Sequence, residues 1–145
     1  MVATTTRKRP KKANKRKKKT SIKSLENKLK KILYPMIKKR DGNTCISCGK
    51  TGLVGMNWHA GHYAKAELCN MVWRYSPLNI NSQCGMCNKW RHGNSVAYRN
   101  NLVKKIGEVQ VRVIEESYNK PLPMNFDSRV YLETLITHFK QLCKK

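Results

Sequence analysis

Two C-x-x-C pairs, Cys45 with Cys48 and Cys84 with Cys87, restrict this chain more than any other feature. A short knuckle of this kind supplies two corners of a tetrahedron, so two knuckles complete a four-thiolate structural zinc site. Six cysteines would allow three disulfides in a secreted chain. The paired spacing favours a metal instead, and with it a reducing, cytoplasmic compartment. Cys69 and Cys143 stand apart and read as small apolar residues. The loop between the knuckles runs for 35 residues from Gly49 through Gln83, longer than a bare zinc ribbon requires. It carries His59 and His62, and Asn88 follows the last cysteine directly. These residues read as a second, open metal site.

A chain of 145 residues has room for one modest domain and a tail. Its formal net charge is +23, from 31 Lys and Arg against 8 Asp and Glu. Residues 1–20 hold ten of the cations and no acid, yet residues 21–145 still carry a balance of +13. A surface this basic attracts polyanions, which makes DNA or RNA the leading partner. The plainer reading is a basic binding protein of the ribosomal kind. No apolar run approaches the length of a membrane span, so a membrane is not an expected partner.

Four segments follow from composition and periodicity. Residues 1–20 have too little apolar content to fold alone and form an expected disordered basic arm. Residues 21–40 place Ile22, Leu25, Leu29, Ile32, Leu33, Met36 and Ile37 at helical steps, with Pro35 expected to kink or end the helix near Tyr34. Residues 41–117 form the expected zinc-stabilised core, opened by the Asp41-Gly42-Asn43 turn. Within it, 51–63 reads as a short hairpin with Trp58 as an anchor. A helix is expected from near Asn88 to Ile106 with Val96, Leu102, Val103 and Ile106 inside, then a break at Gly107 and a second helix over 108–117. Residues 118–145 comprise a proline-marked linker and a last helix capped by Asp127 or Ser128.

Phosphodiester cleavage needs a base that is unprotonated near neutral pH and a cation beside the scissile phosphate. A histidine with one metal held by neutral ligands meets both needs. A two-metal carboxylate design does not fit, because Glu67 is the one acid between Cys45 and Cys87. The bland alternative makes His59 and His62 extra zinc ligands or surface residues.

The stretch CISCGK…WHAGHY…QCGMCNKWRHGNSVAYRNNLVKKIG resembles the NinG (Rap) recombination proteins of lambdoid phages over about residues 45–117. The order of its motifs is more distantly similar to zinc-bearing His-Me finger (HNH) nucleases of the endonuclease VII class. The resemblance implies a small α+β fold: a treble-clef-like zinc-knuckle ββα-metal core with flanking helices. It also implies endonucleolytic action on branched, Holliday-junction-type recombination intermediates in the host cytoplasm. His62 matches the histidine that activates water, and Asn88 the asparagine that helps hold a catalytic Mg2+ or Mn2+. His59 stands where the family can carry aspartate, and Gly61 where the endonuclease VII class has an acid. A histidine at position 59 favours softer ions than magnesium or lies outside the coordination shell. His92 is a candidate third histidine.

The expected site is therefore His62, His59 and Asn88 for catalysis, with His59 and Asn88 on the catalytic ion. Cys45, Cys48, Cys84 and Cys87 hold structural zinc, and Lys89, Arg91, His92, Arg74 and Arg99 contact DNA. The alternative is a non-catalytic zinc-containing DNA-binding accessory protein. Symmetric junction cleavage would call for a homodimer, with the helices over 21–40 and 128–143 as candidate interfaces or as closures of the core. Deleting residues 1–19 is expected to weaken DNA binding and flatten its dependence on salt, because about ten phosphate-seeking charges are lost. An unchanged slope of log affinity against log salt would show that the arm contacts something else.

Overall fold

The computed structural model describes residues 19–144, so nearly all of the expected basic arm lies outside the described residues. Helix α1 (Ile22–Arg40) begins at Ser21, whose side-chain oxygen accepts a bond from the Ser24 N–H at 3.2 Å. Leu25, Leu29, Leu33 and Ile37 recur at four-residue steps and are buried. Each such side chain stabilises the fold by about 1.5–3 kcal/mol. The helix continues through Pro35 to Arg40, so the proline does not end it near Tyr34. Proline removes one intrahelical bond, but Leu33 and Ile37 on either side are wholly buried and hold the helix together from outside.

The expected hairpin within 51–63 is also corrected. Gly55–Asn57 is a single 3-10 turn leading into β1 (Trp58–His62). The antiparallel partner is β2 (Ile80–Cys84), in register from Trp58 opposite Cys84 to His62 opposite Ile80. The long connection between them contains the short helix α2 (Met71–Arg74), capped by the Asn70 side chain. Buried Asn79 then ties the connection down. Its side chain bonds the Ala64 N–H and C=O and the Trp73 carbonyl.

After β2 the chain makes a π-helical turn (Met86–Trp90) instead of opening one continuous helix. His92 and Asn94 adopt left-handed backbone angles and Gly93 also has positive φ, so the path reverses before α3 (Ser95–Ile106). This reversal turns Val96 outward, 75% exposed, and gives Tyr98 the buried position beside Leu102. Gly107 ends α3 with φ of 86° and leads into α4 (Glu108–Glu116). Asp127 caps α5 (Ser128–Leu142), as anticipated.

Two apolar cores flank the sheet. The first joins Leu25, Leu29, Leu33 and Ile37 of α1 to Leu132, Ile136 and Phe139 of α5, together with Tyr75 and Ile80. The apolar faces of the helices at the two ends of the chain thus meet each other. The second core joins Tyr98 and Leu102 of α3 to Val111 and Ile114 of α4, with Ala64 and Cys69 from the connection. A two-stranded sheet is marginal alone, and here both of its faces are covered.

Side chains alternate across a strand, so Trp58, Ala60 and His62 share one face of β1 while His59 and Gly61 share the other. The first face looks to α1, shown by Lys38 over the Trp58 ring and by the edge contact of Tyr34 with His62. The second face looks to the reversal, through Gln83, whose amide donates to Ser47 Oγ and to the Gly93 carbonyl. A Cβ on Gly61 would run into the Gln83 side chain. Gly61→Ala is therefore expected to cost about 1–3 kcal/mol, because a buried amide must abandon its two bonds to make room. Chemical denaturation with both proteins zinc-loaded measures it, and an unchanged midpoint would count against this account of the close approach.

Candidate functional site

The four paired cysteines converge. Cys45 and Cys48 lie in the turn after α1, Cys84 ends β2, and Cys87 sits in the π-helical turn. Their sulfurs all lie within 4.8 Å of one another, and Cys48 Sγ is 3.8 Å from Cys84 Sγ. A tetrahedral ion with bonds of about 2.3 Å holds its sulfurs roughly 3.8 Å apart, so the cluster could hold a metal ion such as zinc. Chemistry agrees with geometry. Burial pushes the Cys45 thiol up and the Cys87 thiol up to about 12. A bound cation would keep both of these groups as thiolates. Asn94 Nδ2 donates to Cys87 Sγ at 3.5 Å and the Cys87 N–H to Cys84 Sγ at 3.4 Å, bonds suited to carrying negative sulfur. Cys69 is buried away from the cluster and Cys143 is exposed.

The two histidines of the WHAGH strand leave on opposite sides. His62 is half-buried against Tyr34, and its Nε2 lies 3.0 Å from the Arg74 carbonyl. A carbonyl only accepts, so Nε2 carries the hydrogen and Nδ1 keeps the lone pair. Burial lowers the His62 pKa, and the bond to the Arg74 carbonyl only partly offsets it, which leaves the ring neutral at pH 7. His59 faces the π-helical turn. Its Nε2 is buried without a hydrogen-bond partner. Burial, followed by the nearby Lys89 charge, lowers its pKa as well.

A cleft of about 480 Å³ opens between the 63–68 segment and the π-helical turn. His62, Asn88, Lys89 and His92 line it, so four of the residues singled out in the sequence reach one place. His59 is not part of its wall. Sequence reasoning missed Lys65, Glu67 and Tyr118, which also line it. The run from His62 to Leu68 held the signal, since a strand end followed by Lys and Glu has no apolar reason to be there.

Two of the arginines expected to contact DNA are engaged within the fold. Arg74 donates to the Ala66 carbonyl at 2.8 Å and to the Cys69 carbonyl, and it pairs with Glu26 at 3.6 Å. It clamps the connection onto α1. Arg99 pairs with both Glu108 and Glu115 at 2.7 Å and locks α3 to α4. Both guanidinia are held by acids within the fold. Lys89, Arg91 and His92 are exposed and take no part in any ion pair among the described residues.

A family model described as "Bacteriophage Lambda NinG protein" matches residues 3–145. "Protein ninG" of Escherichia phage lambda is 39% identical over 85 residues, covering 58% of this chain and 40% of the relative. The protein of the same name from Escherichia phage 933W is also 39% identical over 85 residues, 58% of this chain and 41% of the relative. That of Salmonella phage P22 is 38% identical over 85 residues, 58% of this chain and 40% of the relative. The matched part of the chain thus spans about two fifths of the length of these relatives. No solved structure matches the chain significantly.

Cys45→Ser and Cys84→Ser each remove one corner of the sulfur cluster. Either variant is expected to lose bound zinc and unfold the region between the knuckles, because metal binding supplies much of the folding free energy of so small a unit. Zinc stoichiometry by chromophoric chelator and the thermal transition test this together. Retention of both would rule out the four-thiolate assignment.

Proposed function

The chain belongs to the NinG family, and from that premise we propose that it is a metal-dependent DNA endonuclease acting on branched recombination intermediates, built on a treble-clef-like ββα-metal core. The single observation that carries this reading is the cleft in which a neutral histidine, an asparagine amide and unpaired cations meet. In it His62 acts as the general base. With Nε2–H anchored on the Arg74 carbonyl, Nδ1 takes a proton from water while the ring stays oriented. Lys89, Arg91 and His92 draw the phosphate backbone to the rim and fix its position.

Two neutral side chains suit a catalytic divalent ion. Asn88 offers an amide oxygen on the turn that lines the cleft, and His59, outside the cleft wall, an imidazole nitrogen that is buried with no partner of its own. The ion would supply charge stabilisation at the scissile phosphate. Lys89 next to His59 works against a cation there until a phosphate neutralises it.

A second reading is a non-catalytic zinc-containing DNA-binding accessory protein. One observation favours it. Among the described residues, the four cysteines are the one group of three or more His, Cys, Asp or Glu close enough to share a metal. Any second ion would rest on Asn88, a single imidazole and the substrate.

Synthetic four-way junctions and linear duplex, incubated with Mg2+, with Mn2+ and with chelator, separate the two readings. Cleavage confined to the metal conditions supports the nuclease. Binding without cleavage under every condition supports the accessory protein. Within the first reading His62→Gln, which keeps a donor for the Arg74 carbonyl, is expected to fold and bind zinc normally but to cut about 10²–10⁴-fold more slowly. The wild-type rate should rise with pH along a limb whose midpoint lies below the ordinary histidine value near 6.5, since burial depresses the His62 pKa and the unprotonated ring is the active form. A wild-type rate in the Gln variant would remove His62 from the chemistry.

A further inference from the structure

Trp90 is 76% exposed, although indole is among the side chains that folding most gains by burying. It makes no ring stacking or cation–π contact among the described residues. Its backbone, by contrast, is held firmly. It closes the π-helical turn, the Arg91 N–H returns to the Met86 carbonyl at 2.9 Å, and the Gly93 N–H returns to the Cys87 carbonyl at 2.9 Å. The turn thus presents a free aromatic face from a rigid base anchored by two of the clustered cysteines. Met86, 54% exposed on the same turn, extends the apolar surface.

The charge around this face points to its occupant. Arg40, Arg74, Arg99, Arg112 and Arg129 each pair with an acid. Arg91, directly after Trp90, is the one arginine among the described residues with no acid partner. Lys89 on the other side is exposed, unpaired and on the wall of the cleft. A bare indole between two unpaired cations is a poor place for a second copy of so basic a chain, which would bring like charges together. It suits a nucleic acid, where base and phosphate alternate.

We propose that Trp90 stacks on an unpaired or end-exposed DNA base while Lys89 and Arg91 hold the flanking phosphates, so that this turn selects branched or single-stranded over continuous duplex DNA. The proposal rests on the DNA reading above and names what distinguishes the substrate. Inside a continuous duplex both faces of every base are covered by neighbours. At a branch point, flap or gap one face is open, and an aromatic ring fixed beside the cleft caps it without first unstacking anything. Tryptophan offers the largest such face, and phenylalanine a smaller one.

Binding is measured by fluorescence anisotropy in chelator that leaves the structural metal in place, so that cleavage does not interfere. The probes are a four-way junction, a single strand and a linear duplex of matched length. A junction with 2-aminopurine at the branch reports stacking directly. Trp90→Ala is expected to weaken junction and single-strand binding by roughly 5- to 150-fold, the usual range for one base–aromatic stack, and to leave duplex affinity and zinc content unchanged. Trp90→Phe should recover part of the loss, and the 2-aminopurine signal should be quenched by wild type and not by the Ala variant. Equal weakening on all three probes, or no change on any, would overturn the proposal while the wider DNA reading stands. Failure of the wild-type protein to bind any probe would overturn both. Discrimination without cleavage in added metal would keep this proposal and remove the nuclease.

Discussion

The clustering of four cysteine sulfurs is the constraint on which the rest of the structure depends. It ties the turn after α1 to the end of β2 and to the first residues after it, three points that would otherwise drift independently. The apolar support nearby is thin. Leu53 is the one wholly buried aliphatic side chain in that cluster, with Trp58 packed at its edge. Hydrophobic burial of that size cannot close a loop of this length, so the cross-link through sulfur has to. The run from Asn88 to His92 begins within a turn of Cys87.

The sheet transmits this order to the cleft. Ser82 N–H donates to the Asp41 carboxylate at 2.7 Å, and Arg40 and Lys105 pair with the same carboxylate. Asn81 Nδ2 donates to the Tyr98 hydroxyl, which in turn donates to the Gly61 carbonyl at 3.0 Å. These bonds link α1, both strands and α3 through side chains that are largely buried. Such a network is costly if one member is missing, and that favours a single arrangement of the strands. The absence of a side chain at Gly61 belongs to the same network, since Gln83 occupies the space.

Much of this was legible in the sequence where one local rule decides. The cysteine spacing announced the cluster, the four-residue recurrence of Leu25, Leu29, Leu33 and Ile37 announced α1, and Asp127 announced α5. Gly107 marked the break between α3 and α4 for a conformational reason visible in one letter. What failed were judgements that depend on distant partners. Pro35 reads locally as a kink or a stop, and the packing that carries the helix past it cannot be seen there. The strand Trp58–His62 pairs beyond an intervening helix, which no turn signal in 51–63 could reveal. Arg74 and Arg99 carried the same charge as Lys89 and Arg91, and only the placement of Glu26, Glu108 and Glu115 separates the two kinds. Alternation does follow from sequence once the strand is known, so the opposite facing of His59 and His62 was recoverable with β1 correctly bounded.

That separation of arginines bears on how so basic a chain stays folded. Eight acids are available, and six of them are engaged in ion pairs or caps. Asp41, Glu26, Glu108, Glu115 and Glu133 pair with cations, and Asp127 caps α5. The fold thus spends its negative charge on locking elements together, and arginine suits those places because its planar fork grips a carboxylate or carbonyl at two points. The surplus left on the surface is mainly lysine, a flexible, well-hydrated charge that adds little to stability and costs repulsion. A distribution of this sort gains from a polyanion laid along the surface, since each phosphate neutralised relieves repulsion among the lysines. Arg91 breaks the division of labour. It has the residue type used elsewhere for gripping and the exposure used elsewhere for attraction, and that combination is what a fixed contact to a phosphate requires.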